Sequence, residues 1–398
     1  LRQWLRQPEI AFWFWLKGFA MAFLDDLHGQ FRVVVAVHTK TGELAALSHL
    51  SRPEVAAIQP LVLALPRLAP QSRLMVGFVA AASGLAEYGR PMMIDLSRIP
   101  AGHPLRAEPM GAFDFLDNEV REALEEKHGA LGNSLPGLLP AFSADRENDQ
   151  LDLRAAQRLD GRDGRGAAIR IYGLTRQSAA GWAEHVARTA AQLGIPSQRI
   201  DVVIDAAYVD SVQERKLDQI CDVVAAVHQV MAVRSVTLLA GSVPPRRFVT
   251  QTMIKPRYEM QLWSACATSL SGELRYGDYG VVHPLQADVQ LAGPVSTNPY
   301  LFYTAGQGSL YLSRQLPRDE NRKIVRGGGA SKFREISTEL ARLTEFAGPR
   351  YSWGDAELAG CAAGNVQNVG TVTRWIAIAT SHHCAHLADS STRAALVA

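Results

Sequence analysis

The chain has 398 residues, 47% of them hydrophobic and 20% charged, which is a globular composition with ample material for a large core and excludes a disordered chain. Its 41 basic and 39 acidic residues leave a net charge of +2, which gives no electrostatic case for non-specific nucleic-acid binding. The four cysteines, Cys221, Cys266, Cys361 and Cys384, are widely spaced and form no Cys-x-x-Cys pair. That pattern argues against a secreted disulfide scaffold and for reduced thiols in a cytoplasmic protein.

Residues 1–30 read as a leader or upstream extension. Phe12-Trp13-Phe14-Trp15-Leu16 and Phe19-Ala20-Met21-Ala22-Phe23-Leu24 are strongly apolar, but Lys17 interrupts them and the run is short of the ~20 residues a spanning helix needs. An extension or packing helix is expected, with a membrane anchor as the alternative and Met21 as a potential natural start.

From Phe31 the chain alternates. The β-branched run at 31–37 predicts a buried strand, and Leu44, Leu47 and Leu50 predict a helix over 43–55. Strands are expected at 60–65 and 91–96, the latter near Asp95, with a helix over 72–88 between them. A helix over 118–128 leads to a poor fourth strand, Leu138-Leu139-Pro140-Ala141-Phe142. Residues 143–166 are rich in Asp, Arg and Gly and include 160–166, which reads as an exposed turn. Strands at 167–172, 200–205 and 235–240 follow, separated by helices over 178–193 and 212–231; 246–267 reads as mixed and mainly helical.

The eighth strand is Arg275-Tyr276-Gly277-Asp278-Tyr279-Gly280, followed by Val281-Val282 and His283. Glycine weakens a strand unless the backbone must bend or be approached closely. Eight strand-like runs over about 250 residues predict a TIM-like (β/α)₈ barrel spanning 31–283. An open doubly wound sheet is the alternative, disfavoured by the lack of a Gly-x-Gly-x-x-Gly turn. Residues 284–398 read as a C-terminal elaboration packed on the barrel, with strands at 300–303 and 371–379 and a helix over 331–344.

Several motifs in a shared order resemble the phage beta-protein family, known in bacteria as "beta family protein". They are Val37-His38-Thr39-Lys40-Thr41-Gly42-Glu43-Leu44, Pro60-Leu61, Tyr276-Gly277-Asp278-Tyr279-Gly280, Ser352-Trp353-Gly354-Asp355, and Trp375 with His382-His383. The chain departs from the family where Val and His38 replace a common Pro and Lys, and where Leu63 replaces a common Glu. The resemblance implies a phage or mobile-element context more than a chemistry.

Barrel sites lie at the carboxyl ends of strands. That face is expected to collect His38, Asp95, Asp205, Ser242, Asp278 and Tyr279. Its carboxylates would hold Mg²⁺ or Mn²⁺ or divide acid and base roles; as the plainer alternative, Asp95 and Asp205 cap the following helices. Arg275 and Arg326 are the candidates for holding an anion. Trp353 is suited to stack on a planar ligand or to sit in the core, and Asp355 to act in a site or as a helix N-cap. In His382-His383-Cys384-Ala385-His386 the spacing is too compressed for an ordinary zinc site, which favours one histidine as a general base or phosphate ligand. Arg326-Gly327-Gly328-Gly329 reads as a mobile loop or, less readily, a phosphate cradle. These readings predict a hydrolase for a phosphate-containing or nucleotide-like substrate, with Asp205, Asp278 and His382 or His383 in one pocket. The alternative is a non-enzymatic binding module of a phage-interference system, recognising a phage protein or nucleic acid.

Overall fold

A computed structural model describes residues 33–244, 251–270, 272–284, 298–306, 308–365 and 369–389. The apolar stretch before residue 31 lies outside them. No helix of the described residues is long and apolar enough to cross a membrane.

Eight parallel strands close into a barrel: β1 (Val33–His38), β2 (Ile58–Leu63), β3 (Met92–Asp95), β4 (Leu138–Ser143), β5 (Ala167–Tyr172), β6 (Ile200–Tyr208), β7 (Ser235–Gly241) and β9 (Arg275–Asp278). Strand β9 pairs with β7 on one side and β1 on the other, so the expected eighth strand is the one that shuts the ring. The expected (β/α)₈ fold is present. Even β4 forms: Pro140 lacks an N–H, but the strand is buried on both faces and burial outweighs the missing donor.

The helices α1 (Thr41–Leu47), α2 (Arg52–Ala57), α3 (Arg73–Glu87), α4 (Ala112–His128), α5 (Gln150–Asp163), α6 (Ala179–Leu193), α7 (Glu214–Val230) and α8 (Tyr258–Ser269) alternate with these strands. Two expectations need correction here. The single helix over 43–55 is two, because Pro53 starts a new one at Ser51, whose capping box with Glu54 fixes the break. The stretch at 143–166, where only an exposed turn at 160–166 was expected, contains α5, which runs to Asp163. Its Leu153, Ala155, Ala156 and Leu159 are buried, Asp149 caps its start and Gly164 ends it in the left-handed region at φ 66°. Of the charges in this stretch, Arg154, Arg158 and Arg162 lie on its exposed side, while Arg165, just past its end, is buried and pairs with Asp117.

The remaining chain builds a second layer. Strand β8 (Gln251–Pro256), in the stretch expected to be helical, leaves the barrel and pairs with β11 (Gly308–Ser313), which pairs with β10 (Tyr300–Ala305), all antiparallel. Helices α9 (Gly328–Leu340), α10 (Trp353–Ala362) and α11 (Val372–Ala388) complete it. The strand expected at 371–379 is the start of α11, which is buried almost all round and so shows no clean amphipathic period. This helix packs against α1 and α2 of the barrel on one side and against β10 and α10 on the other. It therefore carries its histidines into the seam between barrel and second layer.

Candidate functional site

Alternation along β9 decides the layout of the polar groups. Successive side chains of a strand point to opposite faces. Tyr279 is buried in the barrel lumen with Val34, Ala36, Leu63 and Leu239, whereas Tyr276 packs outside the wall, edge-on to Trp263 of α8. Asp278 follows Tyr276 outward. Gly277 faces the lumen, where a Cβ would sit 3.2 Å from the Val34 carbonyl oxygen and 3.3 Å from that of Leu238. Gly280 turns the chain at φ 59° beside the His383 ring. The two glycines thus serve a close approach and a bend.

Outside the wall, Asp278 is fully buried and accepts from four groups. Arg257 donates at 3.0 Å and the Tyr276 hydroxyl at 2.7 Å. The backbone N–H of Gly280 donates at 2.9 Å, and His383 Nε2 lies 2.9 Å from Oδ1 and 3.0 Å from Oδ2. Burial opposes the charge of Asp278, but His383, then Arg257 and Tyr276, outweigh it and hold the carboxyl well below the usual carboxylate range. Arg257 is likewise buried; Tyr276, Glu259 and Asp278 offset that burial and raise its pKa. On the far side of the imidazole, His383 Nδ1 is 2.7 Å from Thr304 Oγ1 of β10. In the neutral ring, Nε2–H donates to Asp278 and Nδ1 accepts from the threonine hydroxyl. Carboxylate, imidazole and hydroxyl form one chain.

The neighbouring histidine builds a second arm. His382 Nδ1 faces Asp355 Oδ2 at 2.9 Å and Nε2 faces the Thr304 carbonyl at 2.8 Å. Its ring stacks on Tyr303 at 3.7 Å, and the Tyr303 hydroxyl donates to Asp355. Because α11 is helical over Val372–Ala388, His382 and His383 are about 100° apart around one axis. Both therefore reach Thr304. A cleft of about 460 Å³ opens here, lined by Thr304, Glu345, Tyr351, His382, His386 and Asp389 among others. Burial, then Arg257, His383 and His382, pull the pKa of His386 on the cleft wall down to about 3.

Inside the lumen a separate network forms. Arg170 of β5 donates to Asp205 at 2.8 Å and to Asp95 at 2.6 Å. The Tyr279 hydroxyl also donates to Asp205. Oδ1 of Asp95 accepts from Ser97 N–H, and Oδ1 of Asp205 from Ala207 N–H, so each carboxylate also ties down the loop behind its strand. Burial disfavours the Arg170 charge, but Asp205, Tyr279 and Asp95 overcome this and raise its pKa well above the ordinary value.

The structure thus brings Asp278, His383, His382 and Asp355 together, and separately His38, Asp95, Asp205 and Tyr279. It does not bring Asp205 to Asp278: the barrel wall divides them. Asp95 and Asp205 share a guanidinium where a divalent ion was expected, and among the described residues no group of three or more His, Cys, Asp or Glu could hold a metal. Arg275 lies at the opposite end of its strand from Asp278, beside Glu273. Arg326 is exposed on the turn into α9. Neither cation lines the cleft, so the anion-holding role assigned to them has no place there. Trp353 stacks on His49 at 4.0 Å, and the N-cap of α10 is Ser352, which also donates to Asp355. Ser242 contacts the Pro256 carbonyl and joins neither network. The sequence reading missed Arg170, Arg257 and Thr304. Arg170 had left a signal, a lone charge in an apolar strand; Thr304 had left none.

The Beta protein family model matches residues 34–389, which includes both networks and the seam between them. The chain belongs to the Beta protein family. No curated protein matches it. The matched span begins on the closing pair of strands and ends just after α11, so the family's extent coincides with barrel and second layer together.

Proposed function

We propose that this Beta protein family member is a hydrolase whose site is the cleft beside α11, with Thr304 as the attacking hydroxyl. The observation that carries this reading is the chain Asp278–His383–Thr304 ending at the wall of an open cleft. A nucleophile bonded to a base, and a base held by a third group, is the arrangement that activates a hydroxyl. Thr304 Oγ1 attacks an acyl carbon and its proton passes to His383 Nδ1. The leaving group takes that proton, and water then releases the acyl group by the same route in reverse. Asp278 fixes the tautomer and stabilises the imidazolium formed. The cleft walls bear Glu345 and Asp389 and no Lys or Arg among their lining residues, which suits an uncharged or cationic ester or amide better than a phosphate-containing substrate.

One observation favours the alternative, a non-enzymatic module recognising a phage component. Thr304 is only 2% exposed, as is His383, so the chain also works as a tie between barrel and second layer. A panel of p-nitrophenyl esters and amides with neutral or cationic acyl groups separates the two. The hydrolase reading expects turnover above background that falls by roughly 10²–10⁴-fold in His383→Gln while Thr304→Ser retains it. No turnover, or turnover indifferent to His383→Gln, leaves the binding module as the account.

A further inference from the structure

At the barrel mouth, His38 and Glu43 belong neither to the hydrolytic reading nor to the hydrogen bonds of the Arg170 network. His38 ends β1, and alternation with Val34 and Ala36 turns its ring into the mouth of the barrel. The ring lies 6.3 Å from that of Tyr279, tilted by 27°. His38 is 0% exposed, and neither ring nitrogen has a hydrogen-bond partner. Glu43 of α1 is 1% exposed. Its Oε1 accepts from the His38 backbone N–H at 2.9 Å and lies 3.4 Å from His38 Nδ1; its Oε2 has no partner.

The surrounding cations face other groups, Arg98 among them acting on Tyr279. Arg170 holds Asp95 and Asp205, and Lys216 donates to the Ala206 and Tyr208 carbonyls. A buried carboxylate with one oxygen unmet, beside an imidazole with both nitrogens unmet, is an arrangement that folds rarely keep without an occupant. It lies at the carboxyl end of the strands, where barrels bind small molecules.

We propose that the barrel mouth binds a small primary amine, whose ammonium group donates to Glu43 Oε2 and to one ring nitrogen of His38. A carboxylate oxygen only accepts, so the ligand atom must be a donor, and a neutral imidazole offers one further acceptor. No Lys or Arg of the described residues is paired with Glu43, whose near neighbour is the His38 ring at 3.4 Å, so a cationic ligand supplies a counter-charge. An anion would meet Glu43, Asp95 and Asp205. The burial of His38, Glu43 and Tyr279 selects a free small molecule over a side chain of a partner protein.

Ethanolamine is the probe, with ethylene glycol and acetate as comparators of similar size that lack or reverse its charge. Titrated into the full chain, ethanolamine is expected to raise the melting temperature saturably by a few degrees, because a ligand held by the native state alone stabilises it. The comparators are expected to do little, and Glu43→Gln to abolish the rise. No saturable rise, an equal rise with ethylene glycol, or a rise that survives Glu43→Gln overturns the proposal. A wild-type measurement covers a Glu43→Gln chain that fails to fold. Isotope-filtered NMR cross-peaks from the ethanolamine methylenes to the His38 and Tyr279 rings support the site, and their absence at saturation overturns it.

Discussion

Two polar networks share one barrel wall and differ in what they are finished with. Outside β9, every polar atom of Asp278 and His383 has a partner, and the chain ends on a hydroxyl beside an open cleft. Inside, Arg170 satisfies Asp95 and Asp205, but His38 and Glu43 keep unpartnered atoms. On the readings proposed above, the finished network serves proton transfer and the unfinished one receives an occupant. The difference follows from one residue of alternation, Asp278 outward and Tyr279 inward.

The sharpest way to break the comparison is at Asp278. Asp278→Ala leaves Arg257 and His383 buried without their shared anion, a kind of loss that costs about 3–5 kcal/mol. Urea denaturation should show it as a lower midpoint at unchanged slope. Arg170→Met should cost a similar amount by stranding Asp95 and Asp205, but without effect on ester turnover beyond that due to unfolding. If Arg170→Met abolishes turnover in a folded protein, the two networks are one site and the division is wrong.

Acid sharpens it next. The folded pKa of Asp278 is depressed below its unfolded value of about 4. Its contribution is therefore complete above that unfolded value and is lost as pH falls from there toward the folded pKa. Unfolding free energies measured from pH 6 downward should decline in the wild type, and Asp278→Asn should flatten that decline. An unchanged slope in Asp278→Asn would mean that other carboxylates carry it.

Smaller effects come from the periphery. Gly277→Ala places a methyl against two carbonyl oxygens of the wall and should destabilise by about 1–3 kcal/mol. Trp353→Ala removes the stack on His49 and should cost about 0.5–1.5 kcal/mol beyond lost burial, with turnover retained. Loss of turnover in a folded Trp353→Ala would return Trp353 to the ligand-stacking role expected from its motif.

The barrel was legible because β-branched runs such as Val33–Val37 need burial on both faces, and because parallel strands require crossovers of regular length. Helix α11 was not, since a helix buried all round has no polar face to set its period. That one error hid the relation between His382 and His383. Asp278 and His383 stood out from their neighbours in the sequence, yet their pairing across 105 positions depended on α11 docking in the seam. Arg275 and Asp278 looked like one constellation because they are close in sequence. Three steps along a strand put them ~10 Å apart, at opposite ends of the wall. Thr304 is an ordinary hydroxyl in an ordinary strand, and only the fold marks it.

Covalent capture of Thr304 tests the central claim most directly. A fluorophosphonate reacts with hydroxyls that a neighbouring base activates, and peptide mass mapping locates the adduct. The account predicts an adduct on Thr304 in the wild type, retained on the serine of Thr304→Ser and lost in folded His383→Gln. Absence of that adduct from the wild type, or an equal yield in His383→Gln, would contradict it and leave the Asp278–His383–Thr304 chain as a structural tie.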